Sequence, residues 1–227
     1  MTSFADPDII ACPHCESRYL RRVLRSLSMF GQQTYSDGGN GGILSNVIVR
    51  ESRCTHCSKI IKDVDALPAL GTQSRKSFWR QWFAPKESLY YLPQASFDVY
   101  LDLFNDASDI LQQRRYAVLA YREFNINFKV YGSERVASNE YQRAYRMLTD
   151  FMLDHPMVPA IDEYILICAD IYRLRGEFLL SKQNYANVTG KEFAHVVEQG
   201  KRWCNSKNTS LMAIKEPDMV NNARNAS

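Results

Sequence analysis

Four of the six cysteines in this chain occur as two closely spaced pairs. Cys12 and Cys15 enclose Pro-His, and Cys54 and Cys57 enclose Thr-His. Each pair is spaced to form a tight knuckle, and two knuckles together can surround one tetrahedral ion with four thiolates. Thiolates favour Zn²⁺, and four of them leave no coordination position for substrate water. The pattern therefore predicts one structural zinc ion.

The same cysteine spacing leaves other interpretations open. The four cysteines could be reduced and buried without a metal, or they could ligate an iron–sulfur cluster. His14 or His56 could replace a cysteine as a ligand, although both are expected to be exposed knuckle residues. Two pairs that flank a hairpin favour zinc.

Residues 16–53, between the two pairs, have a sheet-like pattern. Apolar residues recur within 19–30 and 43–49, on both sides of the run Ser36-Asp-Gly-Gly-Asn-Gly-Gly42. Glycine and asparagine tolerate positive φ, so this run predicts the turn of a β-hairpin. A phosphate-binding loop is the alternative, but it requires a following Lys-Ser or Lys-Thr and a helix, whereas Ile43 begins a strand.

Overall composition predicts a globular protein with no membrane segment. Apolar residues make up 45% of the 227, and 28 basic residues nearly balance 25 acidic ones. A net charge of +3 does not by itself imply a polyanionic partner. Neither a secretory leader nor an apolar run of about 18 residues is recognised, which predicts a cytoplasmic protein. Cysteine pairs in a reducing compartment favour metal binding over disulfides.

Composition divides the chain into four regions and predicts an α+β fold class. A small N-terminal β zinc ribbon (1–62) precedes an all-α domain of helical hairpins (93–205), which is either tetratricopeptide-like or a bundle. An aromatic and basic connector (63–92) joins them, and a flexible tail (206–227) follows. Caps and helix-breaking residues predict helices at 97–106, 107–131, 138–154, 160–176, 177–187 and 191–204.

Residues 169–188 have the spacing of one tetratricopeptide repeat. The matching positions are Ala169, Tyr172, Gly176, Phe178, Ser181, Tyr185 and Val188. Ser181 and Val188 stand where alanine is usual. Because a solenoid needs at least about three repeats, a plain helical bundle remains the alternative.

The N-terminal segments resemble the zinc-ribbon head of a group of uncharacterised bacterial proteins that carry a helical, tetratricopeptide-like tail. The resemblance is carried by Cys12-Pro-His-Cys15, Leu24-Arg-Ser26, Phe30-Gly31, Tyr35-Ser-Asp-Gly38 and Cys54-Thr-His-Cys57. It implies the order of a ribbon and a helical region, and no activity, since the group has no assigned chemistry.

The connector contains a patch that could contact nucleic acid. Arg75, Lys76 and Arg80 could neutralise phosphates, and Trp79 could stack on a base. The aromatic residues of this patch also recur at helical spacing, which is typical of a short helix that packs the ribbon against the helical domain. A second basic cluster, expected to be a solvated strand edge, consists of Arg18, Arg21, Arg22 and Arg25.

No recognised catalytic motif contains His155 or His195, and Cys168 and Cys204 are expected to be small buried side chains. The predicted function is therefore a non-enzymatic, zinc-binding interaction or scaffold protein. Its helical domain would contact a protein partner or a second copy of the chain. The alternative is a nucleic-acid-binding protein that uses the basic ribbon and the Arg75–Arg80 patch.

Overall fold

The computed structural model describes residues 3–26, 33–34, 36, 40–41, 50–73, 89–129, 138–157 and 161–211. Within these ranges short strands precede six α-helices, so the fold class is α+β with a helical C-terminal region, as predicted. Contacts divide the chain into two compact units. The first comprises Met1–Gln32 and Gly42–Asp106, and the second Gln33–Gly41 and Ala107–Ser227. The boundaries predicted at residues 62, 92 and 205 stay a prediction.

Nine strands lie in the described part of the chain. They are β1 (Ser3–Phe4), β2 (Asp8–Ala11), β3 (Arg18–Arg21), β4 (Leu24–Ser26), β5 (Gln33–Thr34), β6 (Asn40–Gly41), β7 (Ser52–Arg53), β8 (Ile60–Ile61) and β9 (Gly71–Thr72). In the first unit, β2 lies between β3 and β9 in an antiparallel sheet, and β7 pairs antiparallel with β8. Each cysteine pair lies in the turn of a hairpin, one between β2 and β3 and the other between β7 and β8.

The core of the first unit surrounds the two hairpin turns. Its buried residues are Ile10, Cys12, Tyr19, Cys54, Ile61, Val64 and Leu92. Arg21 was expected at a solvated strand edge, but its side chain forms hydrogen bonds within the first unit. Its Nη1 donates to the carbonyl oxygens of Val64 (2.9 Å) and Leu67 (2.9 Å), and its Nη2 binds Asp8 at 2.8 Å. A guanidinium can satisfy several acceptors at once, so Arg21 fastens a 3-10 turn at Val64–Ala66 to the β2–β3 sheet.

A short hairpin lies at the glycine run and belongs to the second unit. The predicted pairing of segment 19–30 with segment 43–49 is not confirmed, since β3 pairs with β2 and β4 pairs with β1. Strand β5 pairs antiparallel with β6 in the register Gln33↔Gly41 and Thr34↔Asn40. Residue Ser36 lies between the two strands and is buried. The apolar segment predicted as a strand at 43–49 lies outside the described residues.

The six helices follow the predicted order. They are α1 (Phe97–Asp106), α2 (Ile110–Lys129), α3 (Asn139–Asp154), α4 (Asp162–Leu174), α5 (Phe178–Ala186) and α6 (Ala194–Asn205). The predicted N-cap of α3 is confirmed, since the Ser138 side chain accepts a hydrogen bond from the Tyr141 amide. None of the helices within the described ranges has both the length and the apolar character needed to cross a membrane.

A glycine turn joins α4 to α5. Gly176 has φ +81°, and the Glu177 amide donates to the Tyr172 carbonyl at 2.8 Å. The Gly176 amide also donates to the carbonyl of Arg173 at 3.0 Å. Together these bonds form a Schellman motif, which requires a left-handed residue after the helix end. The predicted stop at Gly176 is therefore confirmed.

Small residues allow α4, α5 and α6 to pack closely. The Ser181 hydroxyl on α5 donates to the Ala169 carbonyl on α4 at 2.7 Å. Gly200 on α6 lies against the ring of Tyr185, which is 2% exposed. Cys168 and Cys204 are buried, as expected. Whether this helical hairpin is a tetratricopeptide repeat stays a prediction.

Candidate metal centre

The two cysteine pairs adopt the same backbone conformation. In each knuckle, the first cysteine donates its amide and accepts at its carbonyl across the turn. The four hydrogen bonds, each 2.9 Å long, are Cys12 N to Ser17 O, Glu16 N to Cys12 O, Cys54 N to Lys59 O and Ser58 N to Cys54 O. The repeated arrangement orients both pairs of sulfurs toward the same point.

Each knuckle is completed by a non-glycine residue in the left-handed conformation. Glu16 has φ 59° and Ser58 has φ 60°. This conformation costs about 1–2 kcal/mol for a residue with a side chain. The backbone hydrogen bonds across each turn help to offset this cost.

The four sulfur atoms converge across the hairpins. The Sγ atoms of Cys12 and Cys57 are 3.9 Å apart, and those of Cys15 and Cys54 are 3.6 Å apart. All four lie within 4.8 Å of one another, and none of the cysteines forms a disulfide. A tetrahedral ion with metal–sulfur bonds of about 2.3 Å places its sulfurs about 3.8 Å apart. The four cysteines therefore fit a single tetrahedral metal ion.

The sulfur spacing also bears on the iron–sulfur interpretation. A cluster distributes its cysteines over two or more irons, and cysteines on different irons would be spaced more widely than the 4.8 Å within which all four sulfurs lie. Cys15 and Cys54, at 3.6 Å, are close enough to share one ion. The geometry therefore favours a mononuclear site, and four thiolates in a tetrahedron are typical of zinc.

Hydrogen bonds surround the sulfur of Cys54. The hydroxyl of Tyr19 lies 3.0 Å from Cys54 Sγ and 3.1 Å from Thr55 Oγ1, and Tyr19 is 5% exposed. The backbone amide of Cys57 donates to the same sulfur at 3.4 Å. Donors of this kind orient a metal ligand and stabilise its thiolate. Tyr19 was not predicted from the sequence as part of the site.

The same contacts shift the pKa values of the thiols. Burial acts to raise the pKa of Cys54, but the hydrogen bonds from Tyr19 and from the amides of Cys57 and His56 outweigh it and lower this pKa to about 6. The Lys59 amide acts to lower the pKa of Cys57, but desolvation and the other cysteine sulfurs raise it to about 11. The four thiols therefore do not all ionise near neutral pH unless a cation compensates their charge.

The knuckle histidines are not part of the metal-ligand group. His14 and His56 are exposed, as predicted, and His14 Nε2 lies 3.2 Å from the carbonyl oxygen of Ile60. Within the described ranges, the group of candidate metal ligands consists of cysteines.

The residues predicted to contact nucleic acid are only partly described. Arg75, Lys76, Trp79 and Arg80 all lie outside the described residues. In the second basic cluster, Arg18, Arg22 and Arg25 are exposed. The guanidinium of Arg22 lies over the ring of Tyr91, 4.9 Å from its centroid.

The helical unit contains a buried charged pair that was not predicted from the sequence. Asp170 and Arg173 lie on α4, and both side chains are fully buried. Two charged residues within the mainly apolar stretch 164–174 were the available signal, because charged side chains are almost never fully buried unless they are paired.

Comparisons with known proteins add no relatives. This chain matches no family model, no curated protein and no solved structure.

Proposed function

We propose that this protein is a non-enzymatic, zinc-binding interaction or scaffold protein of the cytoplasm. Its N-terminal ribbon holds one structural Zn²⁺ through Cys12, Cys15, Cys54 and Cys57, and its tetratricopeptide-like helical unit contacts a protein partner or a second copy. The observation that carries the proposal is the closed set of four sulfurs within 4.8 Å.

A closed set of thiolates supports a structural role for the metal. Catalytic zinc sites keep one position for water or substrate, whereas four cysteines occupy the whole tetrahedron. The β7 and β8 strands have two residues each, too few to be stable as an isolated hairpin. Zinc that joins the two turns would therefore contribute directly to the folding free energy of the ribbon.

Exposed apolar side chains on the helices support a protein partner. Leu179 on α5 is 72% exposed, and Leu111 on α2 is 65% exposed. Leu180, next to Leu179, is 40% exposed, while Ser181 and Tyr185 on the same helix are buried. The outer surface of α5 therefore offers leucines that a partner would remove from water.

The partner contact can be tested with one charge on α5. Leu179→Glu in the full chain should reduce capture of the partner at least tenfold, since it places a carboxylate in the apolar contact. Asn139→Glu, at an exposed position of α3, is the control for the added charge and should leave capture unchanged. Capture would be measured by quantitative mass spectrometry and repeated with the purified partner, and light scattering would measure self-association. Equal binding by both variants would contradict a contact through α5.

Nucleic-acid binding is the second candidate, and one feature of the first unit favours it. Tyr90 is 73% exposed and precedes Tyr91, on which Arg22 stacks. An aromatic ring beside a guanidinium can stack on a base while the cation contacts a phosphate. Arg75, Lys76 and Arg80 would supply further phosphate contacts.

Salt dependence tests the nucleic-acid candidate. Affinity for single-stranded oligonucleotides should fall steeply as salt rises, because bound phosphates release counterions. A variant with Arg75, Lys76 and Arg80 changed to Gln should bind more weakly and show a shallower slope. Absent binding, or binding that salt does not alter, removes this candidate.

A further inference from the structure

The four cysteines of the candidate metal centre differ in their exposure to solvent. Cys12 and Cys54 are each 1% exposed, whereas Cys15 and Cys57 are partly exposed. A cysteine that binds zinc is a thiolate, and zinc has no redox chemistry of its own, so oxidation of the centre takes place at sulfur. The rate of such oxidation follows the exposure of the thiolate. Oxidation should therefore begin at Cys15 or at Cys57.

Hydrogen bonds distinguish the two partly exposed cysteines. The hydroxyl of Ser17 lies 3.3 Å from Cys15 Sγ. The sulfur of Cys57 accepts from the backbone amide of Lys59, but no side-chain hydroxyl within the described ranges hydrogen-bonds to it. A donor that stabilises a thiolate also lowers its nucleophilicity. Cys57 is therefore the more reactive of the two.

A second cysteine that can react with Cys57 lies on the other knuckle. Cys12 Sγ is 3.9 Å from Cys57 Sγ, and a disulfide of about 2.05 Å requires these atoms to approach by about 2 Å. The sulfurs of Cys15 and Cys54 also lie within 4.8 Å, but each has a hydroxyl within 3.3 Å. Cys12 Sγ instead accepts from the amide of His14 at 3.5 Å. Cys12 is therefore best placed to close a disulfide with Cys57.

We propose that Cys57 is an oxidation site for hydroperoxides, and that the disulfide it then forms with Cys12 releases the zinc ion. This rests on the proposed function, because it requires a zinc-loaded centre. Once Cys12 and Cys57 are joined, only Cys15 and Cys54 remain as thiolates, which is too few for a structural tetrahedral site. The β7–β8 hairpin has strands of two residues each, so it loses stability together with the metal.

The reaction balances with a hydroperoxide as the oxidant. The Cys57 thiolate attacks the terminal peroxide oxygen, and the O–O bond breaks; Cys57 becomes a sulfenic acid. The other oxygen leaves as hydroxide or alkoxide and takes a proton from solvent. The Cys12 thiolate then attacks the Cys57 sulfur, so that the S–S bond forms and the S–O bond breaks with loss of hydroxide, which solvent also protonates. Two electrons pass from the two sulfurs to the peroxide.

Zinc release from the full-length, zinc-loaded protein tests the proposal without a variant. Hydrogen peroxide should release the metal to a chromogenic chelator, and a sample without peroxide is the control. At partial release, tandem mass spectrometry of non-reduced peptides should find Cys12 joined to Cys57 at least about tenfold more often than any other cysteine pair. A different first disulfide, or zinc that peroxide does not release, overturns this proposal alone. Less than about half an equivalent of zinc before oxidation overturns the proposed function and this proposal with it.

Two histidine variants test which cysteine is oxidised first. Cys57→His and Cys15→His each keep four ligands, because three cysteines and one histidine also form structural zinc sites. Cys57→His should release zinc to peroxide at least about tenfold more slowly than Cys15→His does. Equal rates overturn the assignment to Cys57. A second measurement needs no variant: a limiting amount of a maleimide should modify Cys57 of the zinc-loaded wild type first, and first modification at any other cysteine overturns the proposal.

Discussion

Gly200 provides a sharp test of how α5 and α6 pack. A Cβ atom added at this position would lie 2.2 Å from Cζ of Tyr185 and 2.6 Å from its Cε1 and Oη. Carbon atoms in contact are about 3.5–4.0 Å apart, so the ring or the helix must move by more than about 1 Å. Overpacking of this kind costs about 1–3 kcal/mol, and this severe clash belongs at the upper end. Alanine regains about 1 kcal/mol of helix propensity.

Gly200→Ala should therefore lower the free energy of unfolding by about 2 kcal/mol. Urea unfolding followed by far-UV circular dichroism measures this change. Lys201→Ala, at an exposed position of the same helix, should change stability by less than about 0.5 kcal/mol. In a Tyr185→Leu background the ring is absent, and Gly200→Ala should no longer destabilise. If Gly200→Ala instead stabilises the wild-type protein, the inferred contact between Gly200 and Tyr185 is wrong.

Three further predictions concern the metal centre. Tyr19→Phe removes the hydroxyl that contacts Cys54 Sγ and should weaken metal affinity by about 10- to 100-fold in chelator competition. Ser58 has φ 60°, so Ser58→Val should lower the free energy of unfolding by about 1–2 kcal/mol, measured by denaturant unfolding, whereas Ser58→Gly should not lower it. Acidification should release the metal, because protons compete with the metal ion for the four thiolates, and a chromogenic chelator would follow the release.

The features that the sequence predicts well are those encoded by local patterns. Two cysteine pairs at knuckle spacing predicted four sulfurs that the structure brings within 4.8 Å. Ser138 and Gly176 predicted a helix start and a helix stop, because capping depends on residues close in sequence. The glycine run also indicated a turn, although β5 and β6 are not the strands that were predicted to flank it.

The features that the sequence does not predict depend on distant partners. Arg173 Nη2 donates to Ser36 Oγ at 3.0 Å, yet the two residues are 137 positions apart, and no periodicity or cap relates them. Arg21 was interpreted as part of a solvated edge because its neighbours are basic, yet carbonyls from residues 64–67 engage it. A polar side chain can be buried only where the tertiary structure supplies hydrogen-bond partners. Local composition does not predict partners that are distant in sequence.

Roles in the two units are consequently supported by different evidence. In the first unit, the residue types alone restrict the chemistry, since the four converging cysteines could hold one soft metal ion. In the helical unit, the exposed side chain of Leu179 could contact a partner, whereas the buried Asp170–Arg173 pair contacts only described residues of its own chain. A variant that alters one of these features should leave the other unaffected, because additivity holds for sites without shared partners.

X-ray absorption at the zinc edge of the purified full-length protein tests the central claim most directly. It reports the amount of zinc together with the identity and distance of the bound atoms. We predict one zinc ion per chain with four sulfur neighbours at about 2.3 Å. A protein that contains less than about half an equivalent of zinc, or zinc with nitrogen or oxygen among its bound atoms, would contradict a structural site formed by Cys12, Cys15, Cys54 and Cys57.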